Sequence, residues 1–405
     1  MTARLPVPGD FEGPPDGVTR ARWLEADRDH RPGRVACLRD RMAAEGVGGY
    51  FGVKSEHMRW LTGFSLAEGE DKVAGHSGQF LVGADRVTLL TDSRYTVQAR
   101  REAPDATVDE IGYDLAAAWP GLVAAVGARR VAVEAAAVSH AQWERLAAAA
   151  PDTELVPVDG WIEAMRAVKT PDEIERIAAA CAVADRALAA LLPEIRAGVT
   201  EHDLALRLEW LIRTGGAEAL AFDVACLAGP EAALPHGAPG DRPVLGGAVL
   251  LFDFGAQVEG YRSDMTRTLF VGEPADRDLR VYDLVLRAQR AAIDTLEARV
   301  REGTVPDGRE LDAVARGVID GARAWPAYGH GLGHGIGLAT HEEPRLSRSA
   351  PETPLPSPTV FSVEPGIYLE GETGVRIEDL VHLDAAAGVC ELLTRFPRDV
   401  IVLPA

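Results

Sequence analysis

The spacing of apolar positions divides the chain into a strand-rich first part and a helix-rich remainder. Short apolar runs bounded by turn residues predict four strands, at 46–53, 79–84, 86–92 and 129–135. Longer amphipathic stretches predict helices at 34–46 and 139–150. Alternation of strands and helices is typical of a small α/β domain. We therefore predict an α/β domain over residues 31–165.

Residues 1–30 show neither the helical nor the strand periodicity of apolar positions. Prolines and glycines recur among charged residues in this segment, from Pro6 to Gly17. Such punctuation disfavours both helix and strand. The pattern predicts a loosely ordered N-terminal arm.

Residues 166–405 show a repeated pattern of two helices followed by an apolar, turn-containing β segment. The first helix of the first pair opens on Thr170 and Pro171, with Glu173 placed to bind the cap amide. Thr200 begins the next helix in the same way. A helix over about 276–300 and another through Leu311, Val314 and Val318 repeat the arrangement. We predict a second, α+β domain with an internal duplication, although short matches of this kind also arise by chance.

Charge and cysteine content narrow the functional classes. The 405 residues carry 42 Lys+Arg and 62 Asp+Glu, a net charge of −20. This charge argues against nucleic acid or an anionic membrane as partner, since both require a basic face. Four separated cysteines predict buried, reduced thiols. With no apolar signal region at the N-terminus, these features predict a cytoplasmic protein.

One acidic pair lies in the β segment 248–271. A fold-back around Val258–Glu259 places Asp253 opposite Asp264, on the same face of the hairpin. Asp253 interrupts a run that otherwise suits a buried strand, which favours a functional carboxylate. The alternative is that one Asp lies in a turn and the other is solvated.

A second acidic pair lies in the β segment 359–383. Folding around Gly371 places Glu364 opposite Glu378, each flanked by apolar residues. Nearby acidic residues are expected to be solvated, namely Glu370, Glu372 and Asp379. If the two halves pack about a pseudo-twofold axis, four carboxylates converge, and such a cluster requires multivalent cations.

Between these segments lies the glycine-rich stretch 327–345, which contains His330, His334 and His341. One imidazole beside four carboxylates favours Mn²⁺, Fe²⁺ or Co²⁺ over a thiolate-type zinc site. A single buried histidine is more often a hydrogen-bonded core residue, but three beside paired carboxylates favour function. His236, in a Gly/Pro loop, is a further candidate.

At these positions the chain resembles the pita-bread metallopeptidases, the family of methionine aminopeptidase, aminopeptidase P and prolidase. The matching strings are ALPHGAP, DFGAQVEGYRSDMTRT, GHGLGHGIGLATHEEP, SVEPGIY and GVRIED. The strings MRWLTGF and LLTDSRY resemble the creatinase-type N-terminal domain of the proline-directed branch. The resemblance implies a pita-bread fold for residues 166–405 and a homodimer.

The resemblance also implies roles for individual residues. Two divalent ions, expected to be Mn²⁺ with Co²⁺, Fe²⁺ or Zn²⁺ as alternatives, would be held with Asp264 and Glu378 bridging. The implied ligand set is Asp253, Asp264, His334, Glu364 and Glu378. His236, His341 and Glu364 would be catalytic. His330, Arg345 and Arg376 would contact substrate, with Arg345 binding the carboxylate of a dipeptide.

We therefore predict a metal-dependent exopeptidase that cleaves Xaa-Pro bonds in dipeptides or longer peptides. One alternative is a metal-dependent hydrolase or lyase of a small zwitterionic substrate on the same fold. Metal-free creatinase-like enzymes lose the ligand set that this chain retains. A non-enzymatic binding module is the third class, and a full ligand set argues against it.

Overall fold

A computed structural model describes residues 4–67, 75–112 and 114–405 of the chain. The chain forms two compact units. The smaller unit is Ala21–Met165, and the larger unit combines Met1–Arg20 with Arg166–Ala405. The division at Met165 coincides with the predicted boundary, whereas the division at Arg20 lies ten residues before the predicted one.

The smaller unit contains a six-stranded mixed sheet in the order β4-β3-β2-β1-β5-β6. Its strands are β1 Gly49–Gly52, β2 Gln79–Val82, β3 Val87–Thr91, β4 Thr107–Glu110, β5 Arg130–Glu134 and β6 Glu154–Val158. The helices between residues 17 and 167 are α1 Gly17–Ala44, α2 Ser55–Thr62, α3 Thr96–Glu102, α4 Leu115–Ala125, α5 His140–Ala149 and α6 Trp161–Ala167. All four predicted strands and both predicted helices are present, so the α/β prediction is confirmed.

Apolar side chains from the sheet and α4 form the core of the smaller unit. Phe51 on β1 lies edge-on to Trp119 on α4, with ring centroids 5.0 Å apart. Leu90 and Val131 are fully buried in the same cluster. The short apolar runs of the sequence are therefore central strands covered by helices, as their nearly continuous hydrophobicity requires.

The predicted arm is ordered and partly helical, so the prediction of a loosely ordered segment is wrong for the described residues. Helix α1 already begins at Gly17. Before it, the carbonyl of Pro8 accepts a hydrogen bond from Arg186, and Phe11 stacks on Phe396 at 6.2 Å. Residues 1–3 of the predicted arm lie outside the described residues. The packing of the arm involves partners far away in sequence, which local composition does not encode.

The larger unit repeats a helix pair followed by β structure, as predicted. Its helices are α7 Pro171–Leu191, α8 Glu201–Thr214, α9 Asp276–Arg301 and α10 Gly308–Ala322. Glu173 accepts the Thr170 N–H at 2.7 Å, and the Thr200 hydroxyl accepts the Asp203 N–H at 3.0 Å. Both predicted helix starts are therefore in place.

Four sheets complete the larger unit. Their orders are β11-β10-β7, β20-β12-β9-β8, β14-β13-β15-β18-β19 and β16-β17. The strands of the first half are β7 Ala219–Leu220, β8 Ala225–Ala228, β9 Ala248–Phe254, β10 Ala256–Val258, β11 Tyr261–Arg262 and β12 Met265–Val271. Those that follow are β13 Gly333–Gly335, β14 Glu342–Leu346, β15 Thr359–Val363, β16 Gly366–Leu369, β17 Thr373–Arg376, β18 Asp379–Asp384, β19 Val389–Leu392 and β20 Val402–Leu403.

The four cysteines are free thiols, as predicted. Cys181 and Cys226 are buried and Cys390 is half-buried, but Cys37 is exposed, so the expectation that all four are buried is wrong. None of the helices in the described part of the chain has the length and apolar character needed to cross a membrane.

Candidate metal centre

The strand register of the first acidic hairpin differs from the predicted register by two residues. Glu259 and Gly260 occupy the turn, both with positive φ (47° and 80°), and Val258 pairs with Tyr261. Asp253 consequently lies opposite Thr266, not Asp264. A two-residue shift preserves the face to which each side chain points, so the two carboxylates still lie close together.

The second acidic hairpin has the predicted register. Leu369 pairs with Thr373 across the Gly371 turn, and Val363 pairs with Asp379 farther along. Glu364 and Glu378 lie in the interval between these two ladders. Their backbone N–H groups bind other segments: Glu364 donates to Leu332 at 2.8 Å, and Glu378 donates to Thr266 at 3.2 Å. The second bond ties Glu378 to the first hairpin.

Close backbone packing fixes the histidine of the centre. A Cβ on Gly333 would lie 1.9 Å from the Ser362 carbonyl oxygen, and a Cβ on Gly335 would lie 2.1 Å from that of Glu343. Only glycine permits strands β13, β14 and β15 to approach so closely. His334, between these glycines, is therefore held by three neighbouring strands.

The orientation of His334 leaves one ring nitrogen free to bind a cation. Its Nδ1 lies 3.0 Å from the Gly335 carbonyl oxygen, which can only accept, so Nδ1 carries the proton of the neutral ring. Its Nε2 then presents a lone pair, 3.4 Å from Glu364 Oε1 and 3.7 Å from Asp264 Oδ2. This is the arrangement of a metal-binding imidazole, with the second nitrogen bound to a backbone carbonyl.

Three of the predicted ligands converge closely. One ligand atom from each of Asp264, His334 and Glu378 lies within 4.8 Å of the other two. Among the described residues, Asp253 Oδ1 and Glu378 Oε1 are buried without a hydrogen-bond partner. Buried carboxylate oxygens without a donor are costly unless a cation satisfies them. The donor set thus fits divalent metal ions.

Burial and mutual repulsion raise the pKa values of three carboxyls in the cluster. Burial is the largest cause for Asp264, Glu364 and Glu378, and Asp253 raises all three further. Arg376 opposes this rise in each case. Glu364 adjoins the three converging ligands, since its Oε1 lies 3.4 Å from His334 Nε2, and Asp253 lies opposite Thr266, whose hydroxyl binds Glu378.

Arg376 lies at the base of the cluster and supports it. Its Nη2 donates to Asp253 Oδ2 at 2.6 Å, and its Nε donates to Thr266 Oγ1 at 2.9 Å. The Thr266 hydroxyl in turn donates to Glu378 Oε2 at 2.7 Å. Both acidic hairpins are therefore linked through one buried guanidinium and one hydroxyl.

His330 contacts the same support through Tyr368. Its Nδ1 donates to the Gly331 carbonyl at 2.7 Å, so its Nε2 accepts from the Tyr368 hydroxyl at 2.9 Å. Arg376 Nη1 donates to that hydroxyl at 3.0 Å. Burial lowers the pKa of His330, consistent with this neutral form. Tyr368 and Thr266 were missed as site residues, although both lie at alternate strand positions near a ligand.

His341 and His236 lie beside the centre. The rings of His341 and His334 are tilted with centroids 4.2 Å apart. Although His341 is exposed as a residue, partial burial of its ring, followed by the nearby His334 and His236, lowers its pKa to about 4. His236 is also exposed. The two predicted catalytic histidines are therefore close to each other and accessible.

Arg345 is not brought into contact with the cluster in the described part of the chain. Its side chain is 71% exposed, and its Nε lies 3.3 Å from the carboxylate of Glu343. A substrate-binding role for Arg345 stays a prediction.

Two acidic side chains near the centre, Asp379 and Glu342, are buried in ion pairs that the sequence did not predict. Asp379, expected to be solvated, is fully buried and paired with Arg267 at 2.6 Å, because structure covers both faces of β18. Glu370 and Glu372 are exposed, as predicted. Glu342, next to His341, is buried against Arg166 and Lys169. The sequence around Glu342 does not indicate that Arg166 and Lys169, which lie far away in the chain, pack against its carboxylate.

Comparison with known proteins places this geometry in context. The sequence model described as "Metallopeptidase family M24" matches residues 175–385, and that of the "Creatinase/Prolidase N-terminal domain" matches residues 34–168. The uncharacterized peptidase YqhT of Bacillus subtilis is 31% identical over 366 residues, covering 90% of this chain and 99% of YqhT.

Solved structures agree over nearly the whole chain. The Xaa-Pro dipeptidase from Bacillus anthracis superposes with a TM-score of 0.82 at 30% identity, covering 92% of this chain and 100% of its own. The X-Pro aminopeptidase from Thermotoga maritima has a TM-score of 0.76 at 36% identity, covering 88% and 98%. These matches confirm the predicted pita-bread fold and creatinase-type N-terminal domain.

Proposed function

Because this chain belongs to metallopeptidase family M24, we propose that it is a metal-dependent exopeptidase that hydrolyses Xaa-Pro peptide bonds. The observation that carries this proposal is the convergence of Asp264, His334 and Glu378, with a buried oxygen of Glu378 left without a donor. The names of the similar proteins, an Xaa-Pro dipeptidase and an X-Pro aminopeptidase, support proline-directed substrates.

The five clustered side chains, namely Asp253, Asp264, His334, Glu364 and Glu378, would hold two divalent ions. When bound, such ions would supply Lewis acidity and lower the pKa of water at neutral pH. Four carboxylates and one imidazole suit Mn²⁺, the metal we propose, with Co²⁺, Fe²⁺ and Zn²⁺ as alternatives. The hydrogen-bonded Nδ1 of His334 fixes the ring that faces the carboxylates.

The protein's own groups would orient the substrate and transfer protons. His236, exposed beside His341, would donate a hydrogen bond to the oxygen of the scissile carbonyl as negative charge develops there. His341 would position the reacting groups, and the Glu364 carboxylate would accept a proton from the attacking water and pass it to the leaving nitrogen. Arg376, held by Asp253 and Tyr368, would keep the carboxylate array in place.

The direct test is an activity screen of metal-free protein. We expect Mn²⁺ or Co²⁺ to restore hydrolysis of Xaa-Pro dipeptides or Xaa-Pro-Yaa tripeptides, and expect no hydrolysis of matched Xaa-Ala peptides. Two bound ions per chain should accompany full activity, measured by elemental analysis. Hydrolysis that proceeds equally without metal, or metal-dependent turnover confined to non-peptide zwitterions, would contradict the proposal.

The choice between dipeptides and longer peptides turns on Arg345. If its guanidinium swings from Glu343 to bind a substrate carboxylate, Arg345→Ala should weaken dipeptide cleavage by about 1.5–3 kcal/mol and spare tripeptides. Arg348→Ala, at a neighbouring exposed position, is the matched control. Equal losses on both substrates, or none, would leave the aminopeptidase activity as the better assignment.

The family resemblance also supports a homodimer. Sedimentation equilibrium should then give twice the chain mass of 43.2 kDa. A monomer at micromolar concentration would contradict this part of the proposal and leave the peptidase assignment unaffected.

A further inference from the structure

Arg267 is a buried arginine whose hydrogen-bonding capacity is fully used. It lies on β12 and its side chain is 1% exposed. Its guanidinium donates five hydrogen bonds, the maximum that the group can form. The acceptors are the carbonyls of Thr266 (2.9 Å), Glu378 (2.5 Å), Phe396 (2.7 Å) and Pro397 (3.1 Å), and Asp379 Oδ1 (2.6 Å).

These acceptors belong to three separate segments of the chain. Thr266 lies on the first acidic hairpin, Glu378 and Asp379 on the second, and Phe396 in the C-terminal segment. The Arg267 guanidinium therefore links the two acidic hairpins. On the second hairpin it binds the carbonyl of Glu378, one of the predicted metal ligands. In the reverse direction, the Glu378 N–H donates to the Thr266 carbonyl at 3.2 Å. Both peptide groups of Glu378 are thus fixed against β12.

The negative partner of Arg267 is itself held rigidly. Asp379 Oδ1 also accepts from the Thr394 hydroxyl at 2.6 Å, and Asp379 Oδ2 accepts from Gln289 Nε2 at 2.8 Å. A fully buried ion pair with every oxygen satisfied loses its geometry if either partner changes. Lysine would keep the charge of Arg267, but three donors on a flexible stem cannot reach five acceptors.

We propose that Arg267 is a positioning residue that fixes the distance between Asp264 and Glu378, and that it thereby sets the affinity for the second metal ion. The inference rests on the proposed two-metal site. Arg267 does not face the ligand oxygens. It acts through the backbone of Glu378, because Asp264 and Glu378 come from the two different hairpins that the guanidinium joins.

The test is Arg267→Lys, studied by calorimetric titration of the metal-free protein with Co²⁺ and by the visible absorption of the bound cobalt. We expect a folded protein that binds the first ion nearly normally. Binding of the second ion should weaken by about 10–100-fold, the usual effect of losing a residue that orients a ligand. The cobalt spectrum at saturation should also change.

Arg34→Lys is the matched control, because Arg34 is a buried arginine of the smaller unit that donates to Asp27 at 2.6 Å and to the Trp60 carbonyl at 2.9 Å. It should lower the melting temperature and leave both cobalt affinities and the spectrum unchanged. A general loss of stability therefore cannot imitate the expected result.

If Arg267→Lys does not fold, Asp379→Asn tests the same support, since it removes the charge that orients the guanidinium. Wild-type cobalt affinity and spectrum in Arg267→Lys, or in Asp379→Asn when that variant is needed, overturns the inference. A wild-type protein that binds a single ion overturns the two-metal site, and this inference with it.

Discussion

The carboxyls of Asp264, Glu364 and Glu378 have surroundings that resist their ionisation. Burial raises the pKa of Asp264, and Glu378, Asp253 and Glu364 raise it further. Arg376 is the positive group that opposes them. One guanidinium cannot balance four carboxylates, so the ionised cluster needs additional positive charge. At the level of its individual residues, the cluster therefore has the charge that favours cation binding.

Asp264→Asn should abolish metal binding and activity together. The change keeps the size of the side chain and removes one anionic oxygen that both ions would share. We expect fewer than one tightly bound ion per chain by elemental analysis, and no measurable Xaa-Pro hydrolysis. Asp283→Asn, an exposed aspartate on α9 with 66% side-chain exposure, should retain both properties. Two tightly bound ions in Asp264→Asn would remove Asp264 from the site.

The clustering of these carboxylates could be predicted because a charge inside an apolar run is costly. Asp253 breaks the run from Val249 to Phe254, and Glu364 and Glu378 have apolar neighbours. The same reasoning predicted wrongly that Asp379 is exposed to solvent. A strand with one inward carboxylate at Glu378 should expose the next residue, but on β18 the opposite face is covered as well. Which faces are covered depends on tertiary packing, and a single strand does not reveal it.

At the level of strands and hairpins, turns and close backbone contacts position the side chains of the cluster. The sequence predicted the register of the second hairpin because Gly371 marks its turn. It misplaced the first turn because Gly260 requires its own left-handed position, which moves the turn one residue along. Asp253 and Asp264 still lie on the same face, since a shift of two in register changes no face.

Gly335→Ala should separate strands that hold His334. The added Cβ would lie 2.1 Å from the Glu343 carbonyl oxygen and 2.4 Å from its carbonyl carbon, so backbone must move. We expect a loss of about 1–3 kcal/mol in the free energy of unfolding and weaker Co²⁺ binding by calorimetry. Gly329→Ala, where a Cβ meets nothing within 4 Å, is the control. Wild-type cobalt affinity in Gly335→Ala would show that this packing does not position His334.

Acid sensitivity at the start of α3 should depend on Asp92. A hydrogen bond from the Arg94 side chain, opposed by burial, lowers the pKa of Asp92 to about 2 in the folded protein. An acid whose pKa is lower when folded stabilises the protein above its unfolded value of about 3.8 and loses that contribution as the pH falls toward 2. Because Arg94 is 43% exposed, we expect only about 1 kcal/mol.

Urea unfolding of Asp92→Asn at pH 6 and pH 3 measures this contribution. The variant should be less stable than the wild type at pH 6, and the difference should shrink at pH 3. A difference that stays constant with pH would mean that ionisation of Asp92 does not contribute to the stability of the folded protein.

The stability of the whole molecule should depend on metal. A ligand that binds only the folded state stabilises it by about 2.7 kcal/mol at one hundred times its dissociation constant. We expect chelation to lower the melting temperature of the protein and Mn²⁺ or Co²⁺ to restore it, measured by calorimetry. Asp264→Asn should show little response to either treatment. A melting temperature that is the same with and without metal would contradict tight binding by the folded protein.

The domain plan could be predicted from the sequence more fully than the packing of the arm. Helix caps at Thr170 and Thr200 are local signals, and they marked the helices of the larger unit correctly. The arm is ordered by partners such as Arg186 and Phe396, which lie far away in the chain. Contacts between residues so far apart in the chain produce no periodic pattern of apolar positions within the arm.

The arm has a consequence for the order in which the chain can fold during synthesis. Phe11 leaves the ribosome long before its stacking partner Phe396, which lies far downstream in the chain. Residues 21–165 can collapse while translation continues, since their contacts lie within one unit. The larger unit combines segments that precede and follow the smaller unit, so it must wait. Until Phe396 has been synthesised, the arm is a nascent segment without its docking site, available to chaperones and proteases.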